Sequence, residues 1–197
     1  MKAAFSIFLV GMMGAGKSTV GVRLARRLNR IFIDADRELE ERLGVSVPTV
    51  FELEGEDGFR RRETQLLQEL CARDGLVLAT GGGAVLSPHN RKTLSTFGEV
   101  IYLQASPADL WQRLRRDRHR PLLRTPNPRE RIYQLTRERE PFYLEVADHI
   151  ITTSRQPIDQ IVEAIVQVLQ DNTGISAEDQ ANQPADPLVL PPSDAQS

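Results

Sequence analysis

Residues 11–19 read Gly-Met-Met-Gly-Ala-Gly-Lys-Ser-Thr and directly follow an apolar run over residues 4–10. That string matches the phosphate-cradling loop pattern at every fixed position, and it stands where the pattern requires, after a strand and before a helix. Glycine lets the backbone turn tightly enough for successive N–H groups to face one anion at the positive end of the next helix. The loop therefore predicts a nucleoside triphosphate site built from Gly11, Gly14, Ala15, Gly16, Lys17, Ser18 and Thr19. Lys17 is expected at the β- and γ-phosphates, and the Ser18 hydroxyl is the expected protein ligand of Mg²⁺. Val20, Leu24 and Leu28 recur at the spacing of a buried helical stripe just downstream.

Short apolar runs continue through the chain, giving strands over residues 30–33, 76–79, 100–103 and 149–151, with helical patterns between them. Ser87-Pro88 and Ser106-Pro107 read as helix caps followed by a first-turn proline, while Gly44, Gly75 and Gly98 close earlier patterns. A last helix is expected over residues 158–170, from Ile158, Ile161, Val162, Ile165 and Leu169. Strict β-α alternation predicts an α/β fold, a parallel sheet between helical layers, with its ligand at the carboxyl ends of the strands.

The 197 residues are about one domain's worth of chain, and 40% hydrophobic content is enough for a core. No apolar stretch approaches the roughly 20 residues of a membrane span, and the amino terminus lacks the pattern of a cleavable leader, so a cytoplasmic protein without a membrane partner is expected. The single cysteine, Cys71, follows Leu67 by one helical turn and reads as core. From Asp171 onward there are five acidic residues and no Lys or Arg, so the net charge of −2 conceals a body of +3. With four prolines and little apolar periodicity, residues 171–197 read as an acidic, unordered extension of a domain spanning residues 1–170.

Two further places belong at strand ends near the triphosphate. Asp34-Ala35-Asp36 follows the second strand, and two such carboxylates can divide labour between a metal ion and an attacking hydroxyl; the same string also suits a helix cap. Gly81, Gly82 and Gly83 follow the third strand, either as a flexible turn or as backbone that approaches a ligand closely. Arginine outnumbers lysine by 22 to three, and residues 113–128 concentrate arginines among Pro121, Pro126 and Pro128. That segment reads as a closing lid that excludes water from phosphoryl transfer, or else as a basic surface loop. A guanine-binding switch is excluded, because none of Lys2, Lys17 and Lys92 lies in an Asn-Lys-x-Asp string.

The phosphate loop, the DAD at residues 34–36, GFRRRE at 58–63, TGGGAV at 80–85, RPLL at 120–123 and REPFY at 139–143 together resemble the shikimate kinase family, in order, over residues 2–170. The resemblance implies a five-stranded parallel sheet of the nucleoside monophosphate kinase type, and ATP-dependent phosphorylation of the 3-hydroxyl of shikimate. It implies that Asp36 holds acceptor hydroxyls, that Asp34 lies near Mg²⁺, and that Arg60 and Arg139 grip the carboxylate. Gly82 would touch the acceptor through its N–H, Phe59 and Glu63 would line or support that pocket, and Arg120 would reach the phosphates beside Lys17. Geometry alone does not choose among Arg60, Arg61 and Arg62, which point about 100° apart on a helix; the resemblance selects Arg60. Arg113 and Arg155 are similar to arginines that flank the purine, though an ordinary loop is an equal reading of residues 153–157; Trp111 reads as packing. A monomer is expected, with no nucleic-acid partner. A gluconate or nucleotide kinase would share the loop and lid but not the Arg60, Arg139 and Gly82 set, and a catalytically silent binding module would have no need of Asp34, Asp36, Lys17 and Arg120 together.

Overall fold

A computed structural model of the chain describes residues 5–117 and 120–173. Five strands form one sheet: β1 (Ser6–Val10), β2 (Ile31–Asp34), β3 (Leu76–Ala79), β4 (Gly98–Gln104) and β5 (His149–Thr152). All neighbours are parallel, in the order β2-β3-β1-β4-β5. The chain leaves β1 with β3 on one side and β4 on the other, so the loop that follows opens at the point where the strand order reverses. Crevices form there in open α/β sheets. Every residue of β1 is buried, which explains why it reads as an unbroken apolar run instead of an alternating one.

Seven α-helices cover the sheet among the described residues: α1 (Lys17–Arg27), α2 (Ala35–Leu43), α3 (Val47–Cys71), α4 (Pro88–Phe97), α5 (Pro107–Leu114), α6 (Pro128–Val146) and α7 (Ile158–Thr173). Helices α1 and α7 pack on each other and against β3 and β5, while α3, α4 and α6 form a connected layer, with α4 and α6 against β4. The expected stripe of α1 holds, with Val20 and Leu24 buried in the core and Leu28 packed at its margin. Cys71 is buried and unpaired. Trp111 packs against the core's edge.

The caps form where the sequence places them. Ser87 Oγ accepts the Asn90 N–H at 3.3 Å and Ser106 Oγ accepts that of Asp109 at 3.1 Å, each ahead of a first-turn proline. Three features differ from the expectation. Gly98 ends α4 but is extended and already part of β4, where an added Cβ would stand 2.4 Å from the Ser6 carbonyl oxygen; close strand approach, not a left-handed cap, demands glycine there. Helix α3 is broken at Gly55, whose φ of 69° and ψ of −177° turn the chain between two helical segments. Helix α7 runs to Thr173, three residues past the expected end at 170; the rest of the expected acidic extension, residues 174–197, lies outside the described residues, as do Arg118 and His119 of the expected lid. No helix among the described residues is long and apolar enough to cross a membrane.

Candidate active site

The loop after β1 is held by contacts that only glycine permits. Gly11 has a φ of 140° and its Cα faces the Leu103 carbonyl oxygen so closely that a Cβ would lie 2.6 Å from it. Gly14 and Gly16 also have positive φ, and α1 begins after Gly16 with no side-chain cap. Its first N–H groups are thus left for an external anion. Lys17 Nζ donates to the carbonyls of Gly11 at 2.7 Å and Met12 at 3.0 Å. Burial pushes the Lys17 ammonium down to about 8, with Asp36 opposing that shift and Arg120 adding to it.

Asp34 is the helix cap that its sequence context suggests, and its other oxygen meets Ser18. Its Oδ1 accepts the N–H groups of Asp36 at 3.1 Å and Arg37 at 3.3 Å, capping α2, while Oδ2 accepts the Ser18 hydroxyl at 2.5 Å. The cap fixes Asp36 in the first turn of α2. Burial, and then the neighbouring Asp34, raise the Asp36 carboxyl above the usual carboxylate range, against the pull of Lys17, Arg120 and Arg60.

Two cavities meet at this point. The larger, about 940 Å³, runs along the phosphate loop from Gly14 through Thr19 and is bounded by Asp34, Arg113 and Thr153. The smaller, about 70 Å³, is lined by Phe51, Phe59, Arg60, Glu63, Arg139 and the three glycines after β3. Asp36, Gly82 and Arg120 belong to the walls of both. A group in the small cavity therefore adjoins the space along the phosphate loop.

The small cavity is cationic at one end. Arg60 is paired with Glu63 at 2.6 Å and Glu56 at 3.1 Å, and its guanidinium lies 5.2 Å from the Phe59 ring centroid. Arg62 turns the other way to Glu54, and Arg61 is exposed, so of the three arginines it is Arg60 that lines the cavity. Arg139 is 2% exposed and donates through Nη1 to the Gly82 carbonyl at 3.1 Å; burial lowers its pKa from the ordinary arginine value. Glu63, expected to line or support the pocket, is paired with Arg60 and is itself 2% exposed. Arg60 Nε and Glu63 Oε1 are buried without a hydrogen-bond partner. Buried polar atoms are rarely left so, and both belong to residues in the wall of the small cavity.

The glycines after β3 are backbone brought against functional groups. A Cβ on Gly81 would stand 2.3 Å from Glu63 Oε1 and 3.0 Å from Asp36 Oδ1, and one on Gly83 would stand 2.2 Å from Arg60 Nη2. Close approach, not flexibility, is why they are glycine.

The expected lid segment lies over the junction. Arg120 Nε donates to Asp117 at 3.1 Å, Pro121–Leu123 forms a single 3₁₀ turn with Leu123 buried, and Arg124 is paired with Glu52 of α3 at 3.2 Å. The two arginines expected at the purine have different surroundings. Arg113 donates to the carbonyls of Gly14 at 3.0 Å and Thr153 at 2.7 Å, bonds that lie in the guanidinium plane. Arg155 is exposed, has a left-handed φ of 55°, and does not line the large cavity; Gln156 does. Phe51, which packs 4.7 Å from Phe59, was not singled out in the sequence; the break at Gly55 between these two aromatics was its only signal. Tyr143 was quoted only as part of a motif, yet its hydroxyl donates to the Gly82 carbonyl at 2.5 Å.

A phosphate loop at the reversal of a five-stranded parallel sheet, with a second polar cavity at its end, defines a P-loop kinase fold built for a small acceptor. The sequence profile of the shikimate kinase family matches residues 13–170, and the chain belongs to that family. Curated shikimate kinases from Nitrosococcus oceani and Bordetella avium are 51% and 56% identical, over 86% and 83% of this chain and 90% and 78% of theirs. Among solved structures, a shikimate kinase from Acinetobacter baumannii in complex with shikimate is 45% identical with a TM-score of 0.84, covering 86% of this chain and 94% of that one.

Proposed function

We propose that the protein transfers the γ-phosphoryl group of ATP to the 3-hydroxyl of shikimate, giving shikimate 3-phosphate and ADP on the way to chorismate and the aromatic amino acids. The observation that carries this reading is the shared wall: Asp36, Gly82 and Arg120 face the triphosphate cavity and the cavity holding Arg60 and Arg139 at once. A small acid bearing one carboxylate and several hydroxyls needs a cationic fork at one end and an acceptor at the other. Arg60 and Arg139 supply the first, and Asp36 the second.

In this reading the phosphates lie along the N–H groups of Gly11 through Thr19, at the uncapped start of α1. Asp36 accepts a hydrogen bond from the acceptor hydroxyl and takes its proton as the new P–O bond forms and the bond to ADP breaks. Its raised pKa makes it a better base than an exposed aspartate. Lys17 and Arg120 offset the charge spread over the transferring oxygens. Ser18 and Asp34 form a pair of hard oxygen donors suited to Mg²⁺, an ion that takes few protein ligands. Mg²⁺, when bound with ATP, would supply neutralisation of the phosphate charge. Arg113, held in plane by carbonyls, has a face available for stacking on the adenine.

The test is ADP release from Mg-ATP with candidate acceptors, with the product identified by ³¹P NMR. Shikimate is expected to stimulate release and to appear as its 3-phosphate. Stimulation by gluconate or a nucleoside monophosphate, with none by shikimate, rejects the assignment.

A further inference from the structure

We propose that Tyr143 is a positioning residue for the carboxylate grip, acting through the carbonyl of Gly82; the inference rests on the function proposed above. Arg139 and Tyr143 are four residues apart on α6, hence on one face, and both are buried. Their polar ends converge on a single acceptor, the Gly82 carbonyl oxygen, at 3.1 and 2.5 Å. With both lone pairs engaged, the peptide between Gly82 and Gly83 has no freedom to rotate. That peptide is rigid and planar, so fixing its oxygen also fixes the Gly83 N–H and the Cα of Gly83, which lies against the Arg60 guanidinium. One hydroxyl thereby sets the placement of both arginines: Arg139 through the acceptor they share, Arg60 through the neighbouring glycine.

The tyrosine is built to do this and little else. Its ring stacks on Tyr102 with centroids 5.0 Å apart and planes at 22°, which fixes the direction of the hydroxyl. Burial raises the phenol well above its ordinary value, so it keeps its proton and donates it to the Gly82 carbonyl, while its oxygen faces the Arg139 guanidinium. Phenylalanine at 143 would fill the same space and keep the stack, and would leave the Gly82 carbonyl with Arg139 as its sole donor.

The experiment compares wild-type protein with Tyr143→Phe, using shikimate and its carboxamide analogue as acceptors. Loss of one buried hydrogen bond at the grip is expected to raise KM for shikimate about tenfold. By the same reasoning kcat and KM for Mg-ATP stay within about twofold, because the loss is one of acceptor binding. The preference for the acid over the amide should fall by the same factor as KM rises. A lower Tm with KM and the acid preference unchanged would mean that Tyr143 is only packing and would overturn the proposal, as would equal losses for acceptor and nucleotide. If wild-type protein does not use shikimate, the functional reading fails instead, and the two failures are distinct. Should Tyr143→Phe not fold, the hydroxyl proton of Tyr143 in wild-type protein is followed by NMR. A shift on saturation with shikimate supports the proposal, and none overturns it.

Discussion

Gly83→Ala separates the acceptor grip from the rest of the machinery. Gly83 has a φ of −109°, which alanine adopts without strain, so the whole effect comes from what the added methyl meets. That is the end of Arg60: Nη2 at 2.2 Å, Cζ at 2.5 Å and Nη1 at 2.6 Å. Contacts so short cannot persist, and the flexible side chain is the part that moves, taking Nη1 away from its 2.6 Å bond to Glu63. In the proposed grip, the displaced guanidinium would no longer face the acceptor carboxylate. A hydrogen bond to a charged group contributes about 1.5–3 kcal/mol, and a factor of ten corresponds to about 1.4 kcal/mol, so KM for shikimate should rise about 10- to 150-fold. KM for Mg-ATP should not change, since Arg60 is absent from the wall of the triphosphate cavity. Coupled initial-rate assays over a grid of both substrates give these constants, and thermal unfolding checks that the fold survives. The double substitution Gly83→Ala with Arg60→Ala should bind shikimate no worse than Arg60→Ala alone, because both act on one group. Additive losses, or an unchanged KM in a folded variant, would refute the reasoning.

Three other outcomes follow from particular residues. With Lys17 at about 8, the charged form that meets the phosphates is lost as pH rises through that value; kcat/KM for Mg-ATP, which reports the free enzyme, should decline there, and a profile flat up to about pH 10, the ordinary lysine value, would count against it. Cys71, buried and pushed up to about 12, should not react with a thiol reagent at pH 8 until the protein unfolds; rapid labelling of native protein would contradict its place in the core. Removal of residues 174–197 should leave both KM values and kcat unchanged, because every residue assigned to the site lies before them; a fall in turnover would assign that segment a role.

How much of this was legible beforehand depended on how local the cause was. The phosphate loop, the strands and the serine caps are dictated within a few residues, by φ, by apolar periodicity and by hydrogen bonds that span three positions. They stand where the sequence places them. The acceptor cavity is of another kind. Nothing local distinguishes Arg60 from Arg62; what separates them is that one meets Glu63 and the other reaches Glu54. The contact of Tyr143 with Gly82 joins residues 61 apart, and Gly98 owes its identity to Ser6 on the neighbouring strand. Such facts become visible only once the sheet order is known.

Asp34 shows why the phosphate site and the acceptor site cannot be adjusted separately. One carboxylate oxygen caps α2 and so positions Asp36, while the other holds Ser18 at the start of α1. In the proposed mechanism, the helix that presents the base to the acceptor is thus tied, through a single side chain, to the helix that cradles the phosphates. A helix cap is worth about 0.5–2 kcal/mol, small beside a domain's whole stability. It acts, however, on the separation between donor phosphate and acceptor oxygen, where a displacement of about 1 Å can cost a hundredfold in rate. The cap at residues 34–36 and the metal and base site proposed there would therefore be one arrangement seen from two ends.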